Sequence, residues 1–154
     1  MTDLDEAISM LHESLSLCPT THPDRSMSLN NLASALHDRF GKTGSMTDLE
    51  EAILMHRESL SLHPTPHPDR SQSLDNLANA LHDRFGKTGS MTDLEEAISM
   101  HRESLSFRPT PHPGRPRVLT DLARALETRC KASGIQSDLS EATSLRQEAL
   151  AMSS

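Results

Sequence analysis

The sequence repeats itself every 45 residues, and this feature constrains the fold more than any other. Residues 1–45 and 46–90 are identical at 36 of 45 positions, residues 91–135 begin as a third copy that diverges after Pro113, and residues 136–154 begin a fourth. A period of roughly 20 to 50 residues is typical of a solenoid. The apolar content is low, at 34%, and this fits a solenoid because each unit buries only the stripes that face its neighbours.

Each 45-residue unit predicts two helices. The first begins at a capping box, in which Thr47 and Glu50 are expected to satisfy orphan amides, and it ends near Pro64. The second begins after Pro68 and is expected to end at Gly86 in the left-handed conformation, as its equivalent in the first unit does at Gly41. No segment has the pattern of a strand. The sequence therefore predicts an all-α solenoid of antiparallel helix pairs with about seven helices.

Two motifs carry a resemblance to a known family. Leu-Asn-Asn-Leu-Ala at 29–33, Leu-Asp-Asn-Leu-Ala at 74–78, and Glu-Glu-Ala-Ile at 50–53 with its closing proline resemble tetratricopeptide (TPR) repeats. The preceding His-Pro-Asp is similar to the kinesin-light-chain type of that family. The long 45-residue unit looks most like the arrays of basidiomycete fungal proteins, in which a CHAT peptidase or an NTPase module often accompanies the repeats.

The resemblance implies a single repeat domain that covers residues 1–154 and winds as a right-handed superhelix. It also implies a protein-binding scaffold and no enzymatic activity, although a repeat of this kind serves many different partners. If the order of helices in a TPR repeat applies, the chain starts with the second helix of an incomplete unit. The expected units are a half repeat at 1–21 and helix pairs at 22–64, 67–109 and 112–154.

The helices that contain Leu32-Ala33, Leu77-Ala78 and Leu122-Ala123, here called the Leu-Ala helices, carry the predicted binding surface. In the first two units they differ at three positions only, spaced i, i+3 and i+7, and this spacing places all three on one helical face. In TPR arrays the equivalent helix lines the concave groove. The predicted groove residues are Met27, Asn30, Asn31, Ser34, His37, Asp38, Gln72, Asp75, Asn76, Asn79, His82, Asp83, Arg117, Thr120, Asp121 and Arg124.

Two asparagines on this surface have alternative roles. In kinesin-light-chain-like repeats the residue that matches Asn31 and Asn76 binds the backbone of an extended peptide, since a side-chain amide both donates and accepts hydrogen bonds. The alternative is that these asparagines tie neighbouring helices together. The third unit has Asp121 at this position, and an ionised carboxylate only accepts.

Charge on the predicted groove changes along the chain. The third unit carries Arg115, Arg117, Arg124 and Arg129, whereas the first two units carry amides, histidines and carboxylates. Arginine pairs well with carboxylates, so the sequence predicts a protein or peptide ligand with an acidic portion near the third unit. The alternative is that Arg115 and Arg129 are merely solvated.

Composition and motifs argue against other functions. The formal net charge of −7 disfavours nucleic-acid binding, and no apolar run is long enough to span a membrane. The Gly-Lys-Thr at 41–43 lacks the glycine and the leading strand of a phosphate loop. The nine histidines do not form sets of four ligands. We therefore predict no catalytic residues, no cofactor and no metal, and we expect a cytoplasmic protein.

Three functions stay open at the level of sequence. The first is the peptide- or protein-binding scaffold. The second is a structural or self-assembling spacer, which the near-identity of the first two units favours and which the expected uncapped solenoid ends would allow. The third is a regulatory segment of a larger peptidase or NTPase protein.

Overall fold

A computed structural model describes residues 3–17, 25–62, 70–108 and 113–153, and these residues form helices without strands. The predicted all-α fold is confirmed. No described helix is long and apolar enough to cross a membrane. The predicted helix starts at Pro23 and Pro68 lie outside the described residues. The helices are α1 (Asp3–Ser16), α2 (Arg25–Thr43), α3 (Met46–Ser61), α4 (Arg70–Thr88), α5 (Met91–Ser106), α6 (Arg115–Ser133) and α7 (Gln136–Ser153).

The chain divides into two compact units, residues 1–80 and 81–154. In the first unit, α2 packs against both α1 and α3. The core between them is built from Ile8 of α1, the α2 stripe Leu32, Ala33 and Leu36, and Ala52 of α3. These residues are at most 3% exposed, so one apolar stripe of the first Leu-Ala helix is buried between its two neighbours.

In the second unit, α6 packs against both α5 and α7. Its core joins Leu94 and Ile98 of α5, Leu122 and Leu126 of α6, and Ala142 of α7. Each of these side chains is at most 2% exposed. The same stripe positions therefore form the core of both units, and the sequence repeat is also a repeat of packing.

The Leu-Ala helices end three residues later than the sequence predicts. Gly41 and Gly86 lie inside helices α2 and α4, so the expectation that they terminate these helices is wrong. The left-handed conformation belongs to Gly44, Gly89 and Gly134, with φ of 74°, 74° and 75°. The amide of Gly44 donates to the carbonyl of Phe40 at 2.7 Å, which satisfies one of the orphan carbonyls at the helix end.

The start of α3 also differs from the prediction. The N-cap is Ser45, whose hydroxyl accepts from the amide of Asp48 at 3.4 Å, so the predicted capping box at Thr47 and Glu50 is wrong. Thr47 already lies within the helix. Two non-helical residues, Gly44 and Ser45, therefore suffice to turn the chain from α2 into α3.

Candidate functional site

An equivalent Arg–Asp ion pair joins each Leu-Ala helix to the helix that follows it. Arg84 donates through Nε and Nη2 to the two carboxylate oxygens of Asp93, at 2.8 and 2.9 Å. This bidentate geometry is the strongest form of a guanidinium–carboxylate hydrogen bond. The three pairs, here called the Arg–Asp corners, are Arg39–Asp48, Arg84–Asp93 and Arg129–Asp138.

Sequence reasoning missed the Arg–Asp corners, although a signal was present. In each pair the arginine precedes the aspartate by nine residues, and the pair recurs with the 45-residue period. Arg39 makes a further bond to Asp5 at 3.0 Å. The hydrogen bond from Arg129 lowers the pKa of Asp138, while the hydrogen bond to Asp138 raises the pKa of Arg129.

The structure therefore changes the interpretation of two arginines of the third 45-residue repeat. Arg129 belongs to a corner, and Arg115 donates to Glu148 at 2.6 Å and to the carbonyl of Arg108 at 3.0 Å. Arg25 makes the equivalent bond to Glu58 in the first unit, at 2.7 Å. Arg115 and Arg129 thus hold helices together. They are neither merely solvated nor part of the positive charge available to a ligand.

In the first unit, several predicted groove residues form a polar network. The Asn30 side-chain oxygen lies 3.1 Å from Nδ1 of His56 and accepts from the Asn76 amide at 3.1 Å. Gln72 in turn donates to Asn76 at 3.0 Å. Burial, together with the nearby His37, lowers the pKa of His56 to about 4, so the ring is neutral at physiological pH. The hydrogen bond from Asn76 to Asn30 ties α4 to α2, which was one of the two predicted roles of Asn76.

Within residues 1–80, the predicted groove residues differ in their exposure. Asp75 is buried, at 5%. Asn30, Ser34, His37, Asn76 and Asn79 are half-buried. Four side chains are exposed and are here called the first-unit face: Met27, Asn31, Asp38 and Gln72.

Within residues 81–154, the exposed predicted residues carry charge. His82 and Asp121 are half-buried, and Nε2 of His82 lies 3.1 Å from the hydroxyl of Thr128. Burial is the main cause of the lowered pKa of His82, and Arg124 adds to it. Nη2 of Arg124 lies 3.9 Å from Oδ1 of Asp121. The exposed residues, here called the second-unit face, are Asp83, Arg117, Thr120 and Arg124.

The two faces have the chemistry of non-covalent recognition. They offer a side-chain amide pair, a hydroxyl, carboxylates and two arginines on regular helices. Among the described residues, no group of three or more His, Cys, Asp or Glu side chains is placed to hold a metal ion. Gly41-Lys42-Thr43 forms the last turn of α2, where the chain is helical and does not form a phosphate-binding loop.

Solved structures share this fold. One is the crystal structure of nearly identical TPR-like repeats from a Podosopora anserina protein described as a kinesin light chain, with a TM-score of 0.67 and 22% identity over 97% of this chain and 67% of that chain. A single-substitution variant of it gives 0.69 and 22% over 97% and 66%. The DHF58 filament gives 0.54 and 19% over 97% and 77%. At these identities the likeness establishes the fold alone.

The family is established by the sequence itself. No curated protein matches the chain. The sequence profile of the tetratricopeptide repeat matches residues 25–69 and again residues 70–114, which together are more than half of the chain. Repeats of this family generally mediate protein–protein interactions and are typically non-enzymatic. With its helix pairs, its repeating core and these two matches, the chain belongs to the tetratricopeptide repeat family.

Proposed function

We propose that this chain is a protein-interaction scaffold whose Leu-Ala helices bind an extended segment of a partner protein. The observation that carries the proposal is the contrast between repeated and variable positions on these helices. The repeated leucines and alanines are buried, whereas Met27, Gln72 and Arg117, which occupy one repeat position, are all exposed. A position that is exposed and free to vary is suited to select a ligand.

Asn31 is the residue proposed to bind the partner's backbone. It is exposed on α2, and its amide both donates and accepts, as a peptide group requires. Asn76 at the equivalent position already accepts from Gln72 and donates to Asn30. The proposed amide contact is therefore assigned to Asn31 first, and Asn76 contributes after its network rearranges.

The acidic portion of the ligand is proposed to lie on the second-unit face. Arg117 and Arg124 are seven residues apart on α6 and both exposed, so their Cα atoms are about 10 Å apart along the helix axis. In a polyproline II segment, side chains three residues apart point the same way and are separated by about 9 Å. Acidic residues with this spacing match the two guanidinium groups.

The proposed scaffold keeps the units predicted from the sequence, which are a half repeat at 1–21 and helix pairs at 22–64, 67–109 and 112–154 in one domain. A ligand is proposed to contact the Leu-Ala helix of each pair. Recognition by exposed side chains on a rigid helical support needs little ordering of the protein, which favours binding.

A peptide array with a charge-matched control tests the proposal. The wild type and an Arg117→Glu/Arg124→Glu variant are probed on peptides of graded acidity, and the acidic peptides are expected to bind the variant at least tenfold more weakly. The control is Lys42→Glu/Lys87→Glu, which makes the same change in net charge at exposed lysines near helix ends. If both variants lose binding equally, only overall charge matters. If the wild type binds no acidic peptide, the proposed acidic ligand is wrong.

A second variant tests the amide contact separately. Asn31→Ala removes an exposed side chain and should leave the helix content by circular dichroism unchanged. It is expected to weaken all peptides that bind the first-unit face, whatever their charge, because the contact is to the backbone. Unchanged binding by Asn31→Ala would remove the proposed role of this residue.

A further inference from the structure

His82 of α4 lies at one end of a row of polar side chains on α6. Arg117, Asp121, Arg124 and Thr128 are spaced i, i+4, i+7 and i+11, so they follow one side of that helix. Nε2 of His82 lies 3.1 Å from the hydroxyl of Thr128. Thr128 is four residues beyond Arg124, so its Cα atom is about 6 Å further along the helix axis. His82 therefore contacts α6 one turn beyond the last arginine of the second-unit face.

The hydrogen bonds of Thr128 locate the proton on the His82 ring. The Thr128 hydroxyl donates to the carbonyl of Arg124 at 2.9 Å. Because a hydroxyl has only one proton, it accepts from His82, and Nε2 of the ring carries the hydrogen. In the neutral ring Nδ1 is then the nitrogen with the lone pair. A second proton can bind at Nδ1 without breaking the hydrogen bond to Thr128.

Charged and titratable groups on three helices act on this ring. They are Arg124 and Asp121 of α6, Asp83 of α4 and His101 of α5. Burial, Arg124 and His101 lower the pKa of His82, while Asp83 and Asp121 raise it, and the resulting pKa is below the ordinary 6.5. The ring is therefore mostly neutral at physiological pH. Arg124 has the largest effect among the charged neighbours, so a carboxylate bound to Arg124 makes protonation of His82 easier.

We propose that an acidic ligand on the second-unit face binds together with a proton, which His82 takes up at Nδ1. This inference rests on the proposed function and adds the regulation of the same face. A ligand carboxylate at Arg124 offsets the charge that opposes protonation. A further carboxylate can approach the ring, because side chains that point the same way in a polyproline II segment recur about every 9 Å. The second-unit face therefore binds an acidic ligand more tightly as the pH falls.

The direction of the pH effect follows from the two pKa values of His82. Ligand binding raises the pKa of His82 above its value in the free protein, so the complex holds the proton more firmly. The affinity therefore increases as the pH falls through the pKa of the complex, and it levels off below the pKa of the free protein. A pKa that is raised by about one corresponds to an affinity that is about tenfold higher.

The test is isothermal titration at about pH 8 and about pH 5.5 with the peptide Asp-Pro-Pro-Asp-Pro-Pro-Asp, blocked at both ends. Its prolines favour polyproline II, and its aspartates stay ionised at both pH values because their ordinary pKa is about 3.9. The wild type is expected to bind about fivefold more tightly at the lower pH. Near neutral pH, titrations in two buffers of different ionisation enthalpy should show net proton uptake on binding.

Two matched variants assign the proton. His82→Gln removes the titrating nitrogen and keeps an amide that can donate to Thr128. It should abolish the proton uptake and bring the ratio of the two affinities to about one. His12→Gln is the control, because His12 is an exposed histidine of α1 whose loss should leave the ratio as in the wild type. Circular dichroism at both pH values shows whether each variant is folded.

The outcomes separate this inference from the proposed function. Proton uptake by the wild type that His82→Gln loses and His12→Gln keeps supports the inference. Wild-type binding without proton uptake overturns it and leaves the proposed acidic ligand standing, and this result does not depend on any variant. A pH dependence that His82→Gln retains also overturns it. If the wild type does not bind the peptide at either pH, the inference and the proposed acidic ligand are both wrong.

Discussion

Arg129 of an Arg–Asp corner and Arg124 of the second-unit face lie on the same helix, α6, yet only the first recurs in the other repeats. Arg129 at the corner is matched by Arg39 and Arg84, and each pairs with an aspartate whose side chain is at most 8% exposed. Arg124 on the face is matched by Ser34 and Asn79, and it is 55% exposed. Two arginines five residues apart thus serve different purposes.

The difference shows how to interpret an internal repeat. A residue that recurs in every unit is held by a contact that every unit makes, such as a corner or a core stripe. A residue that changes from unit to unit and is also exposed, as at the position of Met27, Gln72 and Arg117, is proposed to contact a ligand. The four experiments that follow test this division, from the largest expected change in the free energy of unfolding to the smallest.

The strongest test of the corner is Asp93→Asn. This change leaves the Arg84 guanidinium beside an uncharged amide, and breaking a largely buried pair in this way costs roughly 3–5 kcal/mol. The free energy of unfolding is measured by urea denaturation. Replacing both partners, with Arg84→Met and Asp93→Leu, should recover most of this loss because no unpaired charge is left buried. A single variant as stable as the wild type would show that the corner is not a structural lock.

The pH dependence of stability tests the hydrogen-bond network of Asn30, His56 and Asn76. The pKa of His56 is about 4 in the folded protein, against 6.5 ordinarily, so the unfolded chain binds the proton more readily. The contribution of His56 to stability is therefore complete above pH 6.5, decreases as the pH falls, and is lost by about pH 4. The decrease is on the order of 3 kcal/mol. His56→Gln, which keeps an amide near Asn30 but does not titrate, should flatten this part of the stability profile.

The two glycines at the end of α4 should respond with opposite signs. Gly89 has φ of 74°, so Gly89→Ala costs about 1 kcal/mol. Gly86 is helical, so Gly86→Ala stabilises the protein by about 1 kcal/mol. An added Cβ meets nothing within 4 Å at either position, so only the backbone decides the sign. Thermal unfolding of the two variants measures both effects, and equal signs would contradict this account of the turn.

The smallest expected effect on stability belongs to the second-unit face. Arg117→Glu/Arg124→Glu alters exposed side chains, and it should change the free energy of unfolding by less than about 0.5 kcal/mol. Urea denaturation in the same buffer as the corner variants provides the comparison. A loss as large as that of Asp93→Asn would mean that the face is structural too.

The sequence predicts the elements of this fold well and their ends less well. The stripes that include Leu32, Leu36, Leu77 and Leu81 can be recognised in the sequence because helical periodicity is a local property and the first two units both show it. The helix ends were misassigned because Gly41 and Gly44 are both plausible terminators. Nothing local decides between them until Arg39 and Asp48 are seen to fix the length of the turn.

The candidate site shows where sequence reasoning stops. A spacing of i, i+3 and i+7 groups residues on one side of a helix, but it does not show how deep each side chain lies. Asp75 is buried, and Asn76 is hydrogen-bonded to Asn30 of α2, and helical spacing alone predicts neither. Likewise Arg115 was indistinguishable from Arg117 until Glu148 was located in space.

The measurement that tests the central claim most directly is to transplant the second-unit face onto α2. Met27→Arg/Ser34→Arg places arginines at the positions equivalent to Arg117 and Arg124. Isothermal titration with a hexaglutamate peptide at low ionic strength should then show two sites where the wild type shows one, with the free energy of unfolding within about 1 kcal/mol of the wild type. A stable variant that still shows one site, or a variant that unfolds, would contradict the claim that the repeated residues build the fold while the varying residues select the ligand.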